Sequence, residues 1–368
     1  MLPDEQTRRG LHVMTVCNAC RYCEQYCPVF PSLEKIRRGS PADLAYLANL
    51  CHNCGECLYA CQYAPPHEFG IDVPKTLADI RGYSYEDYCW PSALGRAFRH
   101  NNLRTGLGLL GGLVATTGAI VVANNPSSVW PTDGSADFYA LIPHGAMITL
   151  FGLVSAFVLL ATGMSAVRFW RSAGSKQVGL AGVWRAVGDA LTLRHLHGDG
   201  VDCASDLETR TPWRRRFHHC TFYGFMLCFA STSVAALYHS VFGWSAPYGY
   251  TSLPVLLGTT GGVGLLVGPA GLAALRRRRD PALLDPHHAG LDESFLVLLA
   301  STSLTGLALL ALRHRPVMGI LLIVHLGSVL ALMATLPYGK FVHGLYRVLA
   351  LTRHHGEVDR PSAQTVRT

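Results

Sequence analysis

The sequence predicts a mainly α-helical protein in two parts, a cysteine-rich N-terminal domain followed by a six-helix transmembrane bundle. The 368-residue chain is 49% hydrophobic and only 15% charged, whereas an average soluble domain is about 25% charged. Residues 1–100 are polar and hold nine of the twelve cysteines. From Leu103 onward, long apolar runs follow one another with few charges inside them. We expect domains at 1–100 and 101–355, with a basic loop at 168–216 and a polar tail at 356–368.

The composition argues against several classes of protein. High hydrophobicity with low charge excludes an intrinsically disordered chain. The formal charge is +7, from 31 Lys and Arg against 24 Asp and Glu, but these cations do not form the single stripe of a nucleic-acid-binding surface. Because Met1–Arg9 is polar and lacks an apolar signal segment, we do not expect a secreted disulfide scaffold.

Two runs of four cysteines share one spacing and are the strongest motif in the chain. The first run is Cys17, Cys20, Cys23 and Cys27, followed by Pro28; the second is Cys51, Cys54, Cys57 and Cys61, followed by Gln62. This is the ferredoxin spacing, in which one tight loop binds three irons of a cubane and the fourth iron takes the distant cysteine of the other run. We therefore expect two [4Fe–4S] clusters, one held by Cys17, Cys20, Cys23 and Cys61, the other by Cys51, Cys54, Cys57 and Cys27. Two four-cysteine zinc sites are the alternative, although zinc sites usually take cysteines in pairs.

The 23 residues between Cys27 and Cys51 suit a helical connection. Ser40 is a good N-cap and Pro41 suits the first helical position. Apolar residues then follow at helical spacing, at Leu44, Leu47 and Leu50. This pattern predicts an all-helical ferredoxin-type module. The cysteines outside the two runs are expected to be packing residues: Cys89, Cys203, Cys220 and Cys228.

Six apolar runs are long enough to cross a bilayer, which takes about 20 residues. They are Leu103–Ala123, Phe138–Val167, Phe217–Phe242, Leu253–Leu275, Ser294–Leu312 and Val317–Pro337. A soluble helical protein would carry charged stripes along such segments. Glycines four apart, Gly108 with Gly112 and Gly258 with Gly262, predict close helix packing in lipid.

Positive charges follow the second, fourth and sixth spans. They include Arg168, Arg171, Lys176, Arg185, Arg194, Arg210, Arg214–Arg216, Arg276–Arg279, Lys340, Arg347 and Arg353. The loops on the other side contain only Arg313 and Arg315. The positive-inside rule predicts an inner-membrane protein with both termini in the cytoplasm, where thiols stay reduced. The basic loop Arg168–Arg216 is expected to dock the cysteine-rich domain or a partner, or to contact anionic lipid.

Histidines in or beside the spans are functional candidates, because ionisable groups are costly in a membrane. The candidates are His144, His218, His219, His239, His325 and His343. Neutral imidazole is a good axial ligand for haem, so we expect one or two haem b groups. His325 and His343 would lie on one face of an unbroken helix, about 27 Å apart, which suits two haems stacked across the bilayer. The Pro337–Gly339 stretch is a point at which this helix can bend.

Periodicity favours particular pairs of these histidines. His218 differs from His239 by about 60° in direction and His219 by about 160°, so His218 is the better candidate on the third span. The expected near-side pair is His218 with His343. The far-side pair is His239 with His325, or His144 in place of one of them. Packed or hydrogen-bonded histidines are the alternative. The histidines outside the spans are expected to be solvated: His12, His52, His67, His100, His195, His197, His287, His288, His354 and His355.

A glycine pattern, Gly106-x-Gly108-x-x-Gly111, matches the dinucleotide-binding fingerprint. It lies inside the first predicted span, with no strand before it and no βαβ unit around it. We therefore expect no nicotinamide or flavin site and no catalytic residue of the chain's own. Electrons would have to enter from a partner.

Four segments together resemble the tricarballylate-utilisation protein B family, also called citrate-utilisation protein B. They are residues 17–28, the run from Cys51 to Cys57, residues 217–225 and residues 336–343. The resemblance covers nearly the whole chain. The segment from His325 to His343 also resembles the haem-bearing helix of the respiratory nitrate reductase gamma subunit, which implies a bundle of that kind. That family's other haem-bearing helix carries two histidines ten residues apart, whereas here Cys228 stands ten residues after His218.

The resemblance implies a membrane oxidoreductase component for electron transfer. Family members accept electrons from an FAD-dependent dehydrogenase that oxidises tricarballylate to cis-aconitate, and pass them through iron–sulfur clusters and haem to membrane quinone. A related C-terminal half occurs fused to another flavoprotein, so the partner's substrate can differ. The main alternative is a membrane redox-sensing iron–sulfur protein without quinone turnover. A transporter with a ferredoxin head is a further alternative, which would need charged or broken helices at mid-membrane.

Overall fold

The computed structural model describes residues 3–36, 39–100, 102–124, 126–130, 138–173, 178–197, 204–206, 209–283 and 289–358. Its N-terminal part is helical. The helices are α1 (Asp4–Cys20), α2 (Val29–Glu34), α3 (Pro41–Leu50), α4 (Glu56–Tyr59), α5 (Val73–Tyr88) and α6 (Ser92–His100). The expected start of α3 is confirmed, because Ser40 and Asp43 form a capping box and Pro41 is the first helical residue.

Helix α3 forms the centre of this domain. Leu44, Tyr46, Leu47 and Leu50 are each at most 1% exposed, because α3 packs against α1, α2 and α5 on its different sides. Burying one such side chain stabilises the fold by about 1.5–3 kcal/mol. This core fixes the ends of α1 and α3, which are the points where the two cysteine runs leave their helices.

In the part of the chain that the structure describes, six long helices follow that are apolar enough to cross a membrane. They are α7 (Asn102–Asn124), α10 (His144–Ser172), α12 (Trp213–Phe242), α13 (Leu253–Arg278), α14 (Ala289–Leu312) and α15 (Met318–Thr335). The six predicted spans are therefore confirmed within a few residues, and the chain is a multi-pass membrane protein. Helix α15 is central, since 56% of its most apolar stretch is buried, against 11% for α7, α10 and α12.

Glycines set the closest helix contact, between α12 and α13. A Cβ at Gly224 would lie 2.9 Å from the Gly261 carbonyl oxygen. A Cβ at Gly261 would lie 2.7 Å from the Gly224 carbonyl oxygen. The expectation for Gly258 and Gly262 is confirmed, because both face neighbouring side chains at about 3 Å. The expectation for Gly108 and Gly112 is wrong. Nothing lies within 4 Å of a Cβ at either position, because that face of α7 points away from the bundle.

Shorter elements complete the chain. They are α8 (Pro126–Val129), α9 (Phe138–Leu141), α11 (Leu180–Thr192), α16 (Val342–Val358), the short antiparallel strands β1 (Ala204–Asp206) and β2 (Thr209–Arg210), and the 3-10 turns Arg194–His197 and Pro281–Leu283. Of the two possibilities for the segment from His325 to His343, an unbroken helix and a bend at Pro337–Gly339, the structure shows an interruption at Pro337–Gly339. Helix α15 ends at Thr335 and α16 begins at Val342, because Pro337 and Gly339 interrupt the helix.

Helix α16 joins the two parts of the molecule. Tyr346, Ala350 and Leu351 on α16 are fully buried, and α16 packs against α3 of the N-terminal domain and α11 of the basic loop. Tyr346 stacks between Tyr85 and Phe169, with ring centroids 5.9 and 5.0 Å away. The cysteine-rich domain is therefore docked on the end of the bundle where α10 ends and α12 begins.

The expected docking role of the basic loop is confirmed at two of its arginines. Arg168 Nη1 donates a 2.7 Å hydrogen bond to the carbonyl of Cys89, and Arg214 Nη1 donates one of 2.7 Å to the carbonyl of Asn53. Lys176 lies outside the described residues. Cys89 is buried, as expected for a packing residue, whereas Cys203 also lies outside the described residues.

Candidate iron–sulfur and haem sites

Cysteines of both runs line one cavity in the N-terminal domain. Cys17, Cys20 and Cys23 from the first run meet Cys61 from the second around a space of about 290 Å³. These four residues are called the outer cysteine set. The cavity lies beside Tyr22, whose side chain is 66% exposed. This is the combination of three neighbouring cysteines and one distant cysteine that the spacing predicts for one cluster.

The other four cysteines line a second, deeper cavity. Cys27 from the first run meets Cys51, Cys54 and Cys57 from the second, and these four residues are called the inner cysteine set. The free space is much smaller, about 10 Å³. Cys57 borders both cavities, which makes the two sets neighbours.

Backbone geometry at the helix ends shapes both loops. Helix α1 ends at Cys20, and Arg21 adopts a left-handed conformation with φ 56°, donating its backbone N–H to the Cys17 carbonyl. In the second loop, Asn53 has φ 53° and Gly55 has φ 96°. The Asn53 backbone N–H points at Cys51 Sγ, 3.3 Å away. Hydrogen bonds to cluster sulfurs are one of the means by which proteins adjust reduction potential.

Burial raises the pKa of several of these thiols. Desolvation, followed by the neighbouring Cys61, Cys23 and Cys20, raises the pKa of Cys17 to about 12. Desolvation likewise raises the pKa of Cys23 to about 11, and the pKa of Cys57 is raised for the same reason. A coordinated thiol is deprotonated by the metal charge, so binding metal at either set would release protons.

In the described part of the chain, no three His, Cys, Asp or Glu side chains converge as ligands of one metal ion. A zinc site needs its four sulfurs about 2.3 Å from a single point. In a cubane each thiolate binds a different iron, so the ligands surround a volume instead. The donor chemistry and the grouping of the eight cysteines fit such clusters better than zinc.

Four arginines surround the inner loop, and we call them the arginine collar. Arg81 and Arg347 donate to the carbonyl of Cys51, with distances of 2.6 and 2.8 Å. Arg214 and Arg279 both donate to the carbonyl of Asn53. The collar joins α5, α12, the end of α13 and α16, so it holds the second cysteine loop against the membrane part.

Two of the candidate histidines lie face to edge next to the collar. The rings of His218 on α12 and His343 on α16 have centroids 5.9 Å apart and planes at 76°. Neutral imidazole is a good haem ligand, so these two rings would be the ones to hold a haem at this end of the bundle. His343 Nδ1 bonds to the Lys340 carbonyl, which leaves Nε2 for a ligand. Burial lowers the pKa of His343 to about 3, so the ring is neutral.

Of the two far-side alternatives, the structure brings together His144 and His239, and not His239 and His325. The rings of His144 and His239 stack with centroids 3.6 Å apart, beside Tyr139. His325 bonds to Thr305 Oγ1 over 3.1 Å and packs against Gly306. His219 lies beside Tyr223, with centroids 5.6 Å apart. Of the described pairs, the structure brings His218 to His343 and His144 to His239.

Two histidines outside the spans are buried, so the expectation that they are solvated is wrong. His195 is 8% exposed and His354 is 9% exposed. Asp189 Oδ2 bonds to His195 over 3.2 Å and to His355 over 2.8 Å, and His354 bonds to Ser32 over 2.8 Å. His52 lies partly buried beside His195. No local pattern signals these contacts, since they depend on docking of distant segments. His287 and His288 lie outside the described residues.

Comparison with known proteins agrees with this architecture. The family model "Citrate utilization protein B" matches residues 99–364, and "Citrate utilization protein B Fer4-like domain" matches residues 10–87. The chain belongs to the citrate utilization protein B family. It is 46% identical over 354 residues to the citrate utilization protein B of Escherichia coli, covering 95% of this chain and 92% of the relative. No solved structure matches the chain significantly.

Membership of the citrate utilization protein B family assigns the two parts of the chain different tasks. The matched Fer4-like domain contains both cysteine sets and indicates iron–sulfur binding by the N-terminal domain. The second matched region contains all six candidate membrane helices and the six candidate histidines. The family thus combines a redox domain with a multi-pass membrane domain, which indicates a role in electron transfer.

Proposed function

We propose that this chain is a membrane electron-transfer subunit that reoxidises a partner FAD-dependent dehydrogenase and delivers the electrons to membrane quinone. One observation carries the proposal. Arg214 is four residues before His218 on α12, and Arg347 is four residues after His343 on α16. Four residues are about one helical turn, or 5.4 Å. The histidine pair is thus one turn from the two arginines that hold the second cysteine loop.

The cofactors of the proposed function are two [4Fe–4S] clusters and haem b. The outer cysteine set would hold one cluster and the inner set the other, while His218 and His343 would be the axial ligands of the near haem. A second haem would use ligands among His144, His239 and His325. Clusters and haem supply one-electron chemistry, which the side chains of this protein do not have. The protein supplies position, burial and charge.

The arrangement suggests a direction for electron transfer, from the outer cysteine set to the inner set. The outer set lies beside exposed Tyr22, away from the membrane helices, so it is the side that a soluble partner can approach. The inner set is buried under the arginine collar, next to the histidine pair. Cys57 borders both cavities, so electrons have a short route from the exposed face to the bundle. Two electrons from a reduced flavin would pass one at a time.

The partner is proposed from the family. The Escherichia coli relative is named for citrate utilisation, and the sequence resemblance implies a tricarballylate dehydrogenase-like flavoprotein. The proposed location is the inner membrane with both termini in the cytoplasm. Arginines that follow the second, fourth and sixth spans bond to the docked N-terminal domain, namely Arg168, Arg214, Arg279 and Arg347. The partner would then meet the outer cysteine set in the cytoplasm.

The test is reoxidation of the partner's flavin by membranes containing this chain. Purified tricarballylate dehydrogenase is reduced anaerobically with its substrate, mixed with the membranes and ubiquinone-1, and followed by flavin absorbance. The variant Cys20→Ser removes an outer ligand and should slow reoxidation by roughly tenfold or more, since loss of metal-site groups costs at least that. Cys220→Ser, a change at a cysteine outside both sets, should behave like the wild type. A full rate with Cys20→Ser, or no dependence on the membranes, would refute the cluster route.

A further inference from the structure

Helix α11 is amphipathic, and its apolar side points away from the rest of the protein. At about 100° per residue, five apolar residues fall on one side of the helix, and we call them the apolar ridge: Leu180, Val183, Trp184, Val187 and Leu191. Leu180 is 80% exposed, Trp184 72%, Leu191 42% and Val183 37%. A helix on the surface of a globular protein normally turns such a stripe towards the core. The ridge is therefore placed for contact with an apolar environment outside the folded protein.

The opposite side of α11 packs on the protein. Gly182, Ala186 and Asp189 are buried, and a Cβ at Gly182 would lie 3.6 Å from the Cβ of His355 on α16. Asp189 is the one acidic residue of α11, and it bonds to His355 over 2.8 Å. These contacts hold α11 against α16 with the ridge outwards.

The C-terminal end of α11 is held at the boundary of the membrane. Tyr223 on α12 donates its hydroxyl to the Leu191 carbonyl over 3.0 Å. The stretch from Tyr223 to Phe242, where α12 ends, has the length of about 20 residues that crosses the hydrocarbon core. At the far end of this stretch, Phe242 stacks on Trp244, as aromatic residues do in a membrane belt. The ridge at Leu191 therefore continues the apolar surface that α12 presents to lipid.

The charges around the ridge are positive. Arg171 near the end of α10, Arg185 on α11 and Arg194 just after α11 are all exposed. The cytoplasmic leaflet carries anionic lipids, whose negative surface potential attracts such residues. Helices with a bulky apolar side that includes Trp or Leu, and with Arg or Lys beside it, typically lie at the surface of a bilayer.

We propose that α11 is an interfacial helix whose apolar ridge inserts at the boundary of headgroups and acyl chains, with Trp184 as its anchor. The leaflet is the one on the side of the cysteine-rich domain. The bilayer is thus the occupant of the ridge, and the inference does not depend on electron transfer. Because α11 packs on α16, which also packs on α3, the membrane surface helps to hold the cysteine-rich domain in place.

The experiment measures the depth of Trp184 in a bilayer. Full-length protein is reconstituted into vesicles of phosphatidylcholine and phosphatidylglycerol, with acyl chains brominated near the headgroup in one preparation and near the methyl end in another. The emission of Trp184 is the difference between the wild type and Trp184→Phe. We expect this emission to be lost with the shallow bromines, less with the deep bromines, and least with iodide added on both sides of the membrane. Trp244, measured through Trp244→Phe, is the reference for a tryptophan at the boundary.

Two variants in the Trp184→Phe background test the ridge itself. Leu180→Trp places a reporter on the ridge and should restore quenching by the shallow bromines. Ala181→Trp places it on an exposed neighbour about 100° around the helix and should be quenched more by iodide. Two reporter positions on the ridge keep the test valid if one variant folds poorly.

Iodide quenching of Trp184 without bromine quenching would overturn the inference and make the ridge a docking face for a protein. Strongest quenching by the deep bromines, or no quenching by any agent, would overturn it as well. So would equal behaviour of the Leu180→Trp and Ala181→Trp reporters.

Discussion

At His343 the two ring nitrogens have different surroundings. Nδ1 bonds to the Lys340 carbonyl, while Nε2 lies on the side of the ring away from that bond. His218 stands opposite, and its Nδ1 is buried without a hydrogen-bond partner. An imidazole whose one nitrogen is fixed by the backbone is oriented to bind a metal with the other. These two residues are therefore the described histidines that we propose as ligands of the near haem.

Replacing either ring should remove the near haem. We expect His218→Ala and His343→Ala to lose haem per protein in a pyridine haemochrome assay. His219→Ala is the matched control, since His219 is the adjacent residue but lies beside Tyr223, and it should keep the wild-type content. Equal haem loss in all three variants, or full content in His218→Ala, would show that this pair is not the axial pair.

Residue-level prediction from the sequence succeeded where chemistry is local. The cysteine spacing predicts which four cysteines form each set, and the structure groups them in the same two sets. Ligation itself stays a prediction. Prediction failed where position depends on distant contacts. His354 is buried because it bonds to Ser32, 322 residues away in sequence, and no periodicity reveals such a bond.

At the scale of elements, apolar length predicted the six spans, but small-residue spacing did not predict all the contacts. Gly108 and Gly112 have the right spacing and face open space. Gly224 and Gly261 lie on different helices and touch backbone to backbone, which needs the crossing geometry of α12 and α13. Pro337 explains the break between α15 and α16. Because of this break, His343 lies on a different helix from His325.

The α12–α13 contact should be sensitive to a single methyl group. Gly261→Ala would put a Cβ 2.7 Å from the Gly224 carbonyl and 2.8 Å from the Cys228 N–H nitrogen. Neither is a flexible side chain, so we expect destabilisation of about 1–3 kcal/mol, seen as a lower thermal midpoint in detergent. Gly108→Ala adds the same methyl group where nothing lies within 4 Å and should leave the midpoint unchanged. Equal midpoints for the two variants would contradict the described packing.

At the scale of the whole molecule, the two parts are visible from composition, but their docking is not. The collar draws on residues from Arg81 to Arg347, spread over most of the chain, to hold a three-residue segment, Cys51–Asn53. Only the folded arrangement shows that the positive charges beside the spans serve the cysteine loop. The charge asymmetry between loops predicts the orientation of the chain in the membrane. Some of the same arginines also bind the N-terminal domain.

Orientation can be tested with reporters fused to the full chain and to a truncation. A green fluorescent protein after Thr368 should fluoresce, because we place the C-terminus in the cytoplasm, where that reporter folds. Alkaline phosphatase fused after Tyr250, between α12 and α13, should be active, because the enzyme needs the oxidising side of the membrane. The reverse pattern would place the cysteine sets outside the cytoplasm, away from the proposed partner.

The most direct test of the central claim is the dithionite-reduced minus oxidised optical spectrum of the protein purified in detergent from a host with normal haem supply. We predict the sharp bands of b-type haem superimposed on the broad bleaching of iron–sulfur clusters. Bleaching without haem bands would mean that the six candidate histidines are packing residues. It would also contradict the proposed electron-transfer route from the inner cysteine set through haem in the bundle. Absence of both features in the folded protein would contradict electron transfer altogether.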